Sequence, residues 1–143
     1  MLSVSVLGIT ALIFLNSFLD FSASHKLSGA IMKFLFPNTT EINGVADDFW
    51  LRKTAHFIEY TLLGVTVGGI IVFFKRQFSK IIIGGSLFGL LMVAVIDEFI
   101  QGFRGRNSSV ADVILDFCSA LLGLMLTFLI CRFITHIKSK HKN

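Results

Sequence analysis

The stretch Asp97-Glu98-Phe99-Ile100-Gln101-Gly102-Phe103-Arg104-Gly105-Arg106-Asn107-Ser108-Ser109-Val110-Ala111-Asp112-Val113-Ile114-Leu115-Asp116 sets four carboxylates and two guanidiniums between two very apolar segments. Charges at the edge of hydrocarbon are expensive and are kept where they serve a purpose. Outward from this stretch, most of the chain reads as membrane-spanning helix. Of its 143 residues 54% are hydrophobic and 15% charged, against roughly 25% charged in soluble domains, which leaves little room for a separate soluble domain. Mean hydropathy is +0.78. Sixteen Phe with one Trp and one Pro suit lipid-facing helices.

The expected fold is all-α, an integral membrane bundle of four transmembrane helices forming one domain over residues 1–143. The spans fall at about 2–19, 54–74, 81–100 and 110–134, each near the length that crosses a bilayer. The first lacks a basic segment ahead of it, so it reads as a retained helix, although Ser22-Ala23-Ser24 imitates a cleavage site. Leu27, Ala30, Ile31, Phe34 and Leu35 recur at helical spacing, which predicts a short amphipathic helix over about 25–36 lying at the interface. Pro37 ends it. Gly64-x-x-x-Gly68, Gly85-x-x-x-Gly89 and Ser119-x-x-x-Gly123 put small residues one turn apart on three helices, and close packing of all three is expected.

Net charge is +4. With no aromatic–basic interleaving, that charge speaks to topology and anionic lipid, and no nucleic acid partner is expected. Lys75, Arg76, Lys80, Lys138, Lys140 and Lys142 mark one side as cytoplasmic. Both termini are expected there, in a multi-pass protein of the bacterial cytoplasmic membrane, with the polar motif at the outer face. Cys118 and Cys131 are about 20 Å apart along one helix, too far to pair, and read as apolar space-fillers.

Three spans carry polar groups at one common end. Arg52, His56, Glu59 and Tyr60 share a face of the second span, with Lys53 beside them. Asp97 and Gln101 share a face of the third, with Glu98 one step aside. Asp112 and Asp116 share a face of the fourth. The expectation is a cluster at the bundle end in which Arg52, Arg104 or Arg106 meets Asp97, Glu98, Asp112 or Asp116. Ser109 and Asp112 also have the spacing of a capping box. Candidate catalytic residues are His56, Glu59, Asp97, Glu98 and Asp116. Candidate binding residues are Arg52, Lys53, Tyr60, Gln101, Arg104, Arg106 and Asp112. The bland alternatives are pairing, capping and interfacial anchoring.

Arg52-Lys53-x-x-His56-Phe57-x-Glu59-Tyr60-x-x-Leu63-Gly64, followed by Asp97-Glu98-x-x-Gln101-x-Phe103, Gly105-Arg106, Ser109, Asp112-Val113-x-x-Asp116 and Gly123, resembles the VanZ-like membrane proteins. The resemblance implies a small multi-helix bacterial membrane protein. The family takes its name from a protein linked to low-level resistance to the glycopeptide teicoplanin. Two functions stay open. The first is a non-catalytic envelope protein whose outer cluster binds an anionic lipid or a lipid-linked cell-wall component. The second is a membrane-embedded enzyme, dependent on His and carboxylate or on a metal, acting on a lipid-linked intermediate. In the second, Asp97, Glu98, Asp112 and Asp116 orient His56 or hold a divalent cation; an oxygen-rich site favours Mg²⁺, Ca²⁺ or Mn²⁺, and a single His makes zinc less natural. Transport is a third and weaker reading, because no polar path continues inward. Oligomeric state is left open.

Overall fold

The computed structural model describes residues 2–18, 26, 30, 46–73, 80–105 and 108–140. Most of the interfacial helix expected over 25–36, the Lys75–Arg76 turn and Arg106 lie outside the described residues, although Lys26 and Ala30 are helical. The described residues are almost entirely helical. Among the described residues four continuous helices follow one another: α1 (Leu2–Ser17), α2 (Ala46–Phe73), α3 (Lys80–Phe103) and α4 (Val110–Lys140).

Unbroken apolar sequence makes these helices, because inside hydrocarbon every backbone amide must find its partner within its own segment. Trp50–Phe73, Ile81–Phe103 and Val110–Lys140 are long and apolar enough to cross a membrane. The second span thus begins earlier than residue 54, and the fourth helix continues past residue 134. Helix α1 is shorter, 16 residues, or about 24 Å against a hydrocarbon core of about 30 Å. Helix α4, with 31 residues, extends about 46 Å, more than the thickness of the hydrocarbon core, and is exposed from Arg132 to Lys140. Outward-facing Leu7, Leu15, Ile58, Leu62, Phe88, Met92, Leu122 and Leu129 supply an apolar coat.

Helices α2 and α4 make the most extensive contact. Helix α1 packs on α2 and α3, and α3 packs on α4, so the bundle closes as a ring in the order α1, α2, α4, α3. Glycine sets the α2–α4 crossing. A Cβ on Gly64 would strike the Ala120 carbonyl, and one on Gly123 would strike the Thr61 carbonyl. One turn on, a Cβ on Gly68 would come within 2.9 Å of Thr127. The Thr127 hydroxyl lies 3.3 Å from the Val65 carbonyl on α2 and 3.0 Å from Gly123 O on its own helix. Ser119 is buried in the same seam and donates to Leu115 O at 2.7 Å.

The third small-residue pair does not behave as expected. Gly85 and Gly89 are exposed, with open space where a Cβ would stand. Helix α3 meets the bundle instead through Leu90, Ala94 and Asp97, so its glycines face outward. Ile13, Tyr60, Leu63, Leu90, Ala94 and Ala120 form the apolar core. All four helices contribute to it, and it lies directly beneath the polar end.

Candidate functional site

Three side chains hold corresponding depths. His56 lies about six residues inside the Trp50 end of its span, Asp97 about six inside the Phe103 end, and Asp116 about six inside Val110. Each depth is about 9 Å along a helix axis. The alternating run of α2, α3 and α4 brings the three to one level, beneath the polar edge of the bundle.

There His56 Nδ1 stands 3.4 Å from Asp116 Oδ2 and 3.8 Å from Asp97 Oδ2. Asp97 and Asp116 are fully buried and His56 is 8% exposed. Gln101 Nε2 donates to Asp97 Oδ2 at 3.0 Å from the next turn of α3. Tyr60 lies one turn below His56 with its ring nearly parallel to the imidazole, at 6.3 Å between centroids.

Helix α1 supplies two members that sequence reasoning missed. The Ser17 hydroxyl donates to Asp97 Oδ1, and Asn16 Nδ2 donates to Glu59 Oε1 at 3.2 Å. The available signal was position: Asn16 and Ser17 are an adjacent polar pair ending an apolar helix, at the level where the other spans become polar. Two carboxylate oxygens at this end, Glu59 Oε2 and Asp116 Oδ1, are shielded from solvent and have no hydrogen-bond partner. A carboxylate oxygen in that condition is costly unless something else engages it.

At the described rim a lysine stands against Asp112, while the pairing expected of Arg106 lies outside the described residues. Asp112 pairs with Lys53, and both side chains are partly exposed. Arg104 donates through Nε to the Phe18 carbonyl at 2.9 Å, joining the end of α3 to the end of α1. It has passed the C-terminus of α3, so a backbone oxygen is its near neighbour. Arg52 is half-buried on α2.

Glu98 has a structural duty. Its Oε2 accepts the Ser109 N–H at 3.0 Å, while Ser109 Oγ accepts the Ala111 N–H at 3.1 Å and so caps α4. The capping box anticipated within α4 is therefore split. Glu98 of α3 takes the reciprocal bond, which frees Asp112 for Lys53. Gly105, at φ 72°, turns the chain out of α3 in the left-handed region where glycine is unstrained. Cys118 and Cys131 are free thiols.

Chemically, the centre joins one imidazole to two buried carboxylates, with a third carboxylate, Glu59, alongside. The arrangement can hold or move protons, or ligate a cation. Its buried part is too rich in carboxylates to receive an anion directly. Among known proteins, the family model described as VanZ/LLP1 matches residues 2–132. Neither the curated proteins nor the solved structures compared with the chain give a match.

Proposed function

The chain belongs to the VanZ/LLP1 family, and from that membership we propose that it is a bacterial envelope protein whose buried His–carboxylate centre acts on the headgroup of a lipid-linked envelope intermediate. One observation carries this reading. His56, Asp97 and Asp116, from three helices, meet out of solvent about 9 Å inside a membrane span. Helix–helix adhesion needs no such centre, since small residues already provide it at Gly64 and Gly123. Removing charged groups from water costs several kcal/mol per ion before compensation.

In this reading the basic residues Lys53, Arg52 and Arg104 draw the anionic headgroup to the bundle end. His56 with Asp97 and Asp116 polarises an uncharged part of the headgroup, whose anionic group stays at the rim. Glu59, whose Oε2 is unpartnered, exchanges the proton. Gln101 and Ser17 hold Asp97 in position, and Tyr60 supports the imidazole from below. The centre faces the outer leaflet, with both termini in the cytoplasm; Lys138 and Lys140 at the end of α4 favour that orientation. A change in teicoplanin susceptibility is the expected cellular consequence, through the altered envelope component.

The test is expression in a susceptible bacterium. Teicoplanin susceptibility and the mass-spectrometric profile of lipid-linked intermediates are measured for wild type, His56→Ala and Glu59→Gln at matched membrane levels. Loss of both effects in both variants is expected. Wild-type effects retained in His56→Ala overturn the reaction.

The exposed guanidinium of Arg104 favours a second reading, binding of an anionic lipid without chemistry. In that case Arg104→Ala abolishes the effect and His56→Ala does not.

A further inference from the structure

We propose that His56, Asp97 and Asp116 form a binding site for one divalent cation, with Mn²⁺ the ion best suited to the donor set. The proposal deepens the reading of this cluster as a functional centre. It requires neither a particular substrate nor a particular membrane orientation.

The spacing is the first argument. One donor atom from each of the three residues lies within 4.8 Å of the other two. Two ligands held about 2.1 Å from one ion stand about 3.0–3.4 Å apart when adjacent and about 4.2 Å apart when opposite. The separations of 3.4 and 3.8 Å from His56 Nδ1 need to close by only a few tenths of an ångström to reach those values. They are long for charge-assisted hydrogen bonds, which run about 2.7–2.9 Å.

The second argument is an orphaned oxygen. Asp116 is fully buried and its Oδ1 has no hydrogen-bond partner. A cation on Asp116, with its own bound water, would engage it. The supporting bonds are already in place. Ser17 and Gln101 donate to the two oxygens of Asp97 and fix its plane, as outer partners do around metal ligands.

Charge is the third argument. Lys53 is engaged with Asp112 at the rim, and among the described residues His56 is the basic side chain seen against Asp97 and Asp116. A dication balances two carboxylates beside a neutral imidazole. One imidazole with two carboxylates falls between the oxygen sets preferred by Mg²⁺ and Ca²⁺ and the nitrogen-rich sets preferred by Zn²⁺, which is the range of Mn²⁺. Glu59, adjacent and with Oε2 unpartnered, is placed to accept a proton from water on the ion.

The full chain is purified in detergent, stripped with EDTA and titrated with Mn²⁺, Zn²⁺ or Mg²⁺. Bound metal is counted, thermal melting is followed, and pulsed electron paramagnetic resonance detects nitrogen coupling to Mn²⁺. Expected are about one Mn²⁺ per chain, a raised melting temperature and a nitrogen coupling that His56→Gln removes. Asp116→Asn weakens Mn²⁺ tenfold or more, while Thr135→Ala, at the far end of α4, leaves it unchanged. Saturable Zn²⁺ or Mg²⁺ binding that Asp116→Asn abolishes keeps the site and changes the ion. The proposal is overturned if no ion binds or raises the melting temperature of stripped wild type. It is equally overturned if metal binds as tightly to Asp116→Asn as to Thr135→Ala. Should a variant fail to fold, the titration of stripped wild type with its nitrogen coupling still decides. Metal binding with no cellular effect of His56→Ala would sink the envelope reaction and leave the site standing.

Discussion

The Ser17 hydroxyl donates to Asp97 Oδ1 across 80 residues of chain, in a buried position where α1 meets α3. The bond ties the short first helix to the centre and fixes one face of the Asp97 carboxylate. Ser17→Ala removes a donor to a buried acid, a class of bond worth about 1.5–3 kcal/mol when the partner is charged. Melting in detergent should fall accordingly. Because Asp97 then loses one of its two orienting bonds, Mn²⁺ affinity should fall as well, and Ser17→Thr should restore both.

The α2–α4 crossing predicts opposite outcomes for glycines that look alike in sequence. Gly64→Ala and Gly123→Ala push a methyl into backbone carbonyls of the facing helix. Each should destabilise by about 1–3 kcal/mol, as overpacking does. Gly85→Ala and Gly89→Ala meet open space and should change stability by less than about 0.5 kcal/mol. Four melting curves decide the matter.

Glu98 holds the start of α4 through the Ser109 amide. Glu98→Ala should speed amide hydrogen exchange at Ser109 and the first turn of α4, leaving the middle of α4 protected. The expected loss of stability is about 1 kcal/mol, the usual weight of a cap. Uniform acceleration along all of α4 would contradict a local role.

Lys53 and Asp112 join α2 to α4 at the rim, where both are partly exposed. Such pairs contribute about 0–1 kcal/mol. Lys53→Asp and Asp112→Lys should each weaken melting and cellular effect, and the double reversal should recover most of the loss. Additive losses in the double variant would show that the residues act separately.

The level of the centre was legible in the sequence because hydrocarbon thickness fixes the length of a span. Once four apolar stretches are laid out, the ends of neighbours coincide, and His56, Asp97 and Asp116 must fall near one depth. Asn16 and Ser17 escaped notice for a physical reason: a single hydroxyl or amide is tolerated in an apolar helix, so it carries no cost that flags a role. The order of helices around the ring was not legible either. Small-residue pairs of equal appearance occur on α2, α3 and α4, and only side-chain packing separates the buried pairs from the outward Gly85 and Gly89. Of the expected arginine partners, Arg104 is turned away from the carboxylates and Arg106 lies outside the described residues. Lys53 is one turn of helix from His56 and faces α4, whereas Arg104 has left α3 and bonds to the Phe18 carbonyl.

Because the tightest seam joins the second helix to the last, the order of synthesis matters. While the ribosome is still making α4, Gly64 and Gly68 have only lipid or a borrowed partner beside them, and His56 and Asp97 lack Asp116. A chain arrested after α3 would therefore display unneutralised polar groups inside the bilayer, a degradation signal for membrane proteases. Pulse-labelled truncations ending near residue 105 should be short-lived, and co-expression of α4 as a separate segment should extend their lifetime.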